Sequence, residues 1–301
     1  MKSTPYRVIL AVILLLGLTH TAMAQEGLKI FISADMEGVV GVVTGDQLGP
    51  SGFEYQRFRA FMTDEVNTAI AAALEAGATE IVVADAHGNG ENLLLEKLPA
   101  DVVVVRSWPR PLSMMEGIDA SFDGAIFLGY HTSTTNTEGV RAHTLSSARL
   151  TAVRLNGVPM AEAGINAAIA GHFGVPVIMV SGDDAVVAET QALLGDVEGA
   201  VVKWTLGFHS AKTLMPEAAN RVIHEKVKAA VGRIRAFKPY RLDGPVQLDV
   251  SFKNYRPVEV LGYLSIVERI DAHTIRFVGE DMVEVSKFLS FILNYSPDLA
   301  P

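Results

Sequence analysis

Three apolar segments that each run straight into metal-type side chains constrain this chain more than any other feature. Residues 28–32 lead into Ser33-Ala34-Asp35-Met36-Glu37-Gly38, residues 80–84 into Asp85-Ala86-His87-Gly88, and residues 124–130 into His131. A strand that is apolar on both faces belongs in a parallel sheet covered by helices, and such sheets carry their functional residues beyond the carboxyl ends of the strands. Side chains alternate along an extended chain, so Asp35 and Glu37 point the same way if the strand geometry continues past Ser33. Two carboxylates aimed at one spot repel unless they are protonated, hydrogen-bonded or bridged by a cation. Capping a following helix is the plainer alternative for the same two residues.

The segments between these strands have helical or strand character. Apolar residues at Phe58, Phe61, Met62, Val66, Ile70 and Leu74 predict a helix over 53–76, with Gly77 as its C-cap. Further strands are predicted at 101–105, at 150–155 with an Asn156-Gly157 turn into Val158-Pro159, at 176–180 and at 201–203. Helices are predicted over 160–172, after a cap at Asp183 or Asp184, and over 216–237. From residue 242 the pattern changes to alternating strands at 245–252 and 274–278 and an amphipathic helix over 282–293. The fold class expected is α/β: a mostly parallel sheet flanked by helices over 25–241, with a smaller C-terminal α+β lobe over 242–301 that completes the same catalytic unit.

Residues 1–24 have the form of a secretory signal peptide. Lys2 and Arg7 precede an apolar run over 8–18, and Ala22-Met23-Ala24 offers a small-x-small cleavage site. Export to a periplasmic or extracellular setting is therefore expected. No second long apolar segment follows, which argues against a permanent membrane anchor. The chain has no cysteine, so neither disulfides nor a lipidated cysteine are available and stability must come from the core. With 25 basic and 34 acidic side chains the formal net charge is −9, which disfavours nucleic acid as a partner. The one basic cluster, from Lys226 to Arg241, reads as a solvated helix face.

Asp35, Glu37, His87, His131 and Glu162 together make a mixed nitrogen and oxygen donor set that suits zinc. Five such groups exceed what one catalytic zinc takes from protein, whereas two ions per subunit would use them and leave room for water. A two-metal hydrolytic centre is the resulting chemical expectation. Glu162 also falls in the first turn of a predicted helix, where the dipole alone would favour a carboxylate. His143 follows a polar loop over 132–139 that has the composition of a mobile active-site segment, and it could act as a ligand, an acid/base or an oxyanion donor. Asp85 is expected to orient a ligand or shape its loop, Asn166 shares a helical face with Glu162, and Lys203 could reach the pocket as a substrate contact.

Beyond these readings, the chain resembles the D-aminopeptidases of the DppA type, peptidase family M55. The resemblance covers residues 29–293 and rests on Ser33-Ala-Asp-Met-Glu-Gly38, Asp85-Ala-His87, Phe127-Leu-Gly-Tyr-His131, Gly139-Val-Arg-Ala-His143, Ala161-Glu-Ala-Gly-Ile-Asn166 and Ser181-Gly-Asp-Asp184. It implies zinc-dependent hydrolysis of short peptides carrying an N-terminal D-amino acid, with D-alanine a natural substrate class. It also implies that Asp35 bridges two zinc ions, that Glu37 and His87 complete one site, that His131 and Glu162 complete the other, and that His143 is the catalytic histidine. A large ring-like homo-oligomer enclosing the active sites is a further implication. The competing classes are an exported peptide-binding protein without catalysis and a metal-dependent amidohydrolase acting on other substrates.

Overall fold

The apolar runs do form strands with both faces covered. In chain order, the first part of the computed structural model contains β1 (Leu28–Ala34), α1 (Tyr55–Glu75), β2 (Ala78–Asp85), β3 (Val103–Val105) and β4 (Gly124–Tyr130). There follow β5 (Leu150–Leu155), β6 (Val158–Pro159), α2 (Glu162–His172), β7 (Val177–Asp183), α3 (Asp184–Leu194), β8 (Glu198–Gly207), β9 (Ser210–Thr213) and α4 (Pro216–Gly232). The chain closes with β10 (Val246–Phe252), α5 (Tyr255–Leu261), β11 (Val267–Arg269), β12 (Thr274–Gly279) and α6 (Met282–Asn294). The structure describes residues 27–295, and the leader expected over 1–24 lies outside them. Among the described residues no helix is long and apolar enough to cross a membrane.

The main sheet has the order β3-β2-β1-β4-β7-β8-β9, parallel throughout except for the antiparallel edge pair β8 and β9. From β1 the chain moves outward one way to β2 and β3, and then returns to the other side of β1 with β4. The strand order therefore reverses between β1 and β4, and in open α/β sheets that reversal opens a crevice at the carboxyl ends of the strands. Asp35 follows β1 there and His131 follows β4, with His87 two residues beyond β2. One face of the sheet is packed by α1 and α4, through residues such as Met62, Val66, Ile223 and Val227. The other face is packed by α2 and by the second sheet with α6, through Ile165, Ile169, Val250, Phe277 and Leu289.

That second sheet, β11-β12-β10-β5-β6, is antiparallel and departs from the expected division of the chain. Two of its five strands, β5 and β6, come from residues 150–159, so residue 242 does not separate the two sheets. The pairing of β10 with β5 on one side and β12 on the other places the C-terminal strands against the middle of the chain. The Asn156-Gly157 turn does form the expected two-residue hairpin, with φ of 49° and 82°. Strand β8 is longer than predicted because its half-exposed second half, Trp204 to Gly207, pairs with the antiparallel β9, which periodicity did not reveal. The helix predicted over 216–237 ends at Gly232, and a single 3-10 turn (Ile234–Ala236) follows it.

Candidate metal centre

The ladder of the parallel sheet continues just past the strand ends and aims the acidic residues. Asp35 N donates to Leu128 O at 2.8 Å, and Ala86 N donates to Ala34 O at 2.8 Å. Beyond them the chain crosses close over β4: a Cβ at Gly38 would overlap the carbonyl oxygen of Tyr130, and one at Gly129 (φ 69°) would overlap that of Asp35. Only glycine fits at these two crossings. The strand ends at Ala34 and the chain turns through Met36–Gly38, with Val39 N donating to Met36 O, so it is this turn, and not continued strand alternation, that brings Asp35 and Glu37 to the same side, against His87.

Asp35 lies between two histidines and offers one oxygen to each. Its Oδ1 is 3.2 Å from His87 Nδ1, and its Oδ2 is 3.3 Å from His131 Nε2. Glu37 Oε2 approaches His87 Nδ1 at 2.9 Å, and Glu162 Oε1 approaches His131 Nε2 at 3.3 Å. Two buried groups result, Asp35–Glu37–His87 and Asp35–His131–Glu162, in each of which the ligand atoms lie within 4.8 Å of one another. Glu162 is brought in from the first turn of α2, where its Oε1 also accepts from Leu145 N at 2.6 Å.

Hydrogen bonds on the far side of each ring fix which nitrogen faces this cluster as a lone pair. His87 Nε2 is 2.7 Å from Leu48 O, and His131 Nδ1 is 3.0 Å from Thr132 O. A carbonyl only accepts, so those nitrogens carry the proton. In the neutral rings His87 Nδ1 and His131 Nε2 are then acceptors, and they face carboxylate oxygens that are acceptors too. Among the described residues Asp35 Oδ2, Glu37 Oε2 and His131 Nε2 are buried without a hydrogen-bond partner. Buried polar atoms seldom go unsatisfied, and acceptors converging on acceptors call for a cation. The donor set and its orphaned atoms fit a metal ion in each group.

Titration behaviour points the same way. Burial alone would lower the pKa of His87 and His131, but the charges of Glu37 and Glu162 respectively hold them well above the ordinary value. Burial would raise Glu37 and Glu162, but the His87 and His131 charges outweigh it and bring both down. Asp35 is pushed up by burial and by the Glu37 charge. With protons as the only cations, the cluster thus takes up positive charge on its imidazoles, and metal binding would release it.

His143 stands differently. Its ring stacks on His131 with centroids 4.0 Å apart and planes 6° from parallel. Nδ1 lies 2.8 Å from Arg141 O, which leaves Nε2 as the atom turned to the cavity, 3.8 Å from Glu162 and 4.0 Å from Glu37. Nε2 could join Glu37 and His131 around an ion, but its distances are longer and its side chain is 13 % exposed against 1 % for His131. Backbone strain brackets it: Arg141 and Leu145 both have positive φ, 57° and 62°. Such strain persists where the surroundings fix a functional geometry. The loop before it, expected to be mobile, is fastened by Ser133 to Glu189 and by Val140 N to Asp183, the residue that caps α3.

Three other predicted residues sit outside the cavity. Lys203 is not a substrate contact: it is fully buried, and its ammonium donates to the carbonyls of Glu37 (2.5 Å), Val39 (3.1 Å) and Val42 (2.8 Å). All three of its hydrogens are thus spent on the segment that carries Glu37. Asp85 touches no histidine ring; its carboxylate accepts from Asn92 N, Asn92 Nδ2 and Leu93 N, and Asn92 Nδ2 in turn donates to His87 O. It shapes the loop that presents His87. Asn166 donates to Tyr130 Oη, which donates to Ser33 Oγ, a buried polar chain rather than a cavity wall.

The cavity over the two groups has a volume of about 290 Å³. Its walls include Trp108, Met114, Leu145, Arg149 and Leu293, none of which the sequence singled out. They come from loops and from the end of α6, where no motif marks them. Ser33 did carry a signal, a polar residue inside an apolar strand two positions before Asp35.

Comparison with known proteins agrees with this geometry. The family model for peptidase M55, D-aminopeptidase, matches residues 28–291. A D-aminopeptidase of Bacillus subtilis (strain 168) is 35 % identical over 261 residues, which span 85 % of this chain and 93 % of the relative. The solved structure of the Zn-dependent D-aminopeptidase DppA from Bacillus subtilis, a self-compartmentalizing protease, superposes with a TM-score of 0.84 at 32 % identity, covering 89 % of this chain and 99 % of that one.

Proposed function

The chain belongs to the D-aminopeptidase family, peptidase M55, and from that premise we propose that it is a zinc-dependent aminopeptidase for short peptides with an N-terminal D-amino acid of the D-alanine type. The observation that carries the two-ion reading is the sharing of Asp35: its two oxygens serve two buried groups whose lone pairs otherwise oppose one another. Asp35, Glu37 and His87 would hold one zinc, and Asp35, His131 and Glu162 the other. Zinc, when bound, supplies Lewis acidity and a hydrolytic nucleophile from water near neutral pH.

The protein's own residues do the rest. Leu48 O and Thr132 O lock the tautomers of His87 and His131, so both rings present a lone pair without reorganisation. Lys203 and Asp85 fix the segments that carry Glu37 and His87. Because Arg141 O holds the Nδ1 proton of His143, only its Nε2 exchanges protons with the cavity. That atom accepts a proton as the nucleophile is used and returns it to the leaving amine. The self-compartmentalizing relative supports a homo-oligomer, and the leader over 1–24 supports export to the periplasm or cell exterior.

Amino-acid release from D-Ala-D-Ala and L-Ala-L-Ala by the mature protein tests this reading, measured before chelation, after it, and after zinc is restored. Release from the D-peptide that stops with chelator and returns with zinc is expected. L-selective release would keep the metal centre and overturn the D-peptide assignment. No release from either by zinc-replete protein would favour a binding protein or another amide substrate.

A further inference from the structure

We infer that Arg149 recognises the C-terminal carboxylate of the substrate, so that this cavity takes peptides of two or three residues with a free C-terminus; the inference deepens the D-aminopeptidase reading and rests on it. Asp35, Glu37 and Glu162 gather in one cluster, while Arg149 is the one lysine or arginine among the lining residues. In the aminopeptidase reading the N-terminal residue lies at the two metal groups, so the C-terminal end of a short peptide extends to the wall that carries Arg149.

Arg149 is positioned rather than free. Its Nη2 donates to Leu293 O at 2.8 Å and its Nε to Ser146 Oγ at 3.3 Å, which leaves Nη1 without a partner among the described residues. Its backbone is held as well, since its N–H donates to Ser146 O and its carbonyl accepts from Lys253 N at 2.8 Å. Both side-chain partners are neutral. Arg221, Arg233 and Arg276 are each paired with carboxylates, and Arg59 and Arg110, held like Arg149 by neutral groups, do not line the cavity. A guanidinium held by neutral groups on the cavity wall, with Nη1 left open, is placed to receive an external carboxylate. A volume of about 290 Å³ lies at the small end of ligand pockets, which suits a peptide of a few residues.

The test uses the zinc-loaded mature protein, with release of D-alanine from D-Ala-D-Ala and from its C-terminal amide as the two readouts. The wild type should prefer the free acid by at least about tenfold in kcat/KM, since a hydrogen bond to a charged partner is lost with the amide. In Arg149→Gln the ratio of acid to amide should fall toward one, mainly through a higher KM for the acid, with zinc content retained. Arg149→Lys, which keeps the charge and loses the planar fork, should give an intermediate ratio. Equal turnover of acid and amide by the wild type, or an unaltered ratio in a folded, zinc-loaded Arg149→Gln, would overturn the inference while leaving the peptidase reading intact. Absence of release from both substrates by the wild type would overturn that reading and the inference with it.

Discussion

Two clusters of buried charge hold the segment from Asp35 to Val42, and they differ in how far their polar atoms are satisfied. Toward the cavity, Asp35, Glu37 and His131 each keep a buried atom without a hydrogen-bond partner. Away from it, Lys203 places its ammonium among the three carbonyls of Glu37, Val39 and Val42, and Glu65 from α1 accepts from Val40 N at 2.9 Å. Burying a charge is costly unless its bonds are made. Lys203 offsets that cost with backbone and so serves the fold. The metal-type cluster leaves it uncompensated, which is tolerable only where a ligand completes the set. Buried charge is thus common to both clusters, and satisfaction tells Lys203 apart from the metal-type group, while Glu65, with one oxygen bonded and one not, lies between them.

The sharpest way to break this contrast is to remove the shared residue. Asp35→Ala takes one donor from both groups, so zinc content measured by elemental analysis should fall below one ion per subunit and hydrolysis of D-Ala-D-Ala should be abolished. Full retention of zinc would show that Asp35 is not a ligand. His143→Ala should behave oppositely, keeping its zinc while kcat drops by roughly 10²–10⁴-fold, the usual contribution of a positioned acid/base. Unchanged turnover would remove His143 from the chemistry.

Much of the first cluster was legible in the sequence because its residues sit at strand ends, where apolar runs stop abruptly. Asp35, His87 and His131 announce themselves in this way, whereas Glu162, at the start of α2, reads equally as a dipole-favoured carboxylate and joins the set through the family motif Ala161-Glu-Ala-Gly-Ile-Asn166. Lys203 was misread for a physical reason: one-dimensional pattern shows that a lysine lies in a strand, but not that three carbonyls from residues some 160 positions away converge on it. The second sheet was only half visible for a similar reason. Alternation in β10 and β12 predicts antiparallel strands, but their pairing with β5 depends on contacts across about 100 residues. Arg149 and Trp108 carried no signal at all, since loop residues obey no periodicity.

A smaller effect is expected on the satisfied side. Lys203→Met removes the ammonium while keeping much of the side-chain volume, so the Glu37 segment loses its anchor but the cavity gains no new group. Zinc affinity, measured by competition with a chromophoric chelator, should weaken by about 10–100-fold, as for other residues that orient ligands. Stability should fall as well, by about 1–3 kcal/mol for each of the Glu37 and Val42 carbonyls left unpaired, since Val39 O keeps its bond from Val42 N. A folded Lys203→Met with native zinc affinity would mean that the Glu37 carboxylate is set by the close chain crossing at Gly38 and owes nothing to the lysine.

Glu65 gives the smallest and most specific test, because it lies between the two cases. One oxygen accepts from Val40 N, the other is buried without a partner, and burial pushes its pKa up to about 7, only partly opposed by the Val40 bond and the Lys203 charge. Its ordinary value is 4.5, so between pH 4.5 and about 7 the folded protein binds a proton there that the unfolded chain has released. Stability therefore falls as pH rises through that window, by about 3 kcal/mol at most. Glu65→Gln keeps the acceptor for Val40 N and cannot ionise, so it lacks this slope. Urea unfolding of both proteins at pH 5 and pH 8 should show the variant gaining on the wild type at the higher pH. Parallel behaviour would mean that Glu65 remains ionised throughout, stabilised by the Lys203 ammonium, and that both members of the lower cluster belong wholly to the satisfied class.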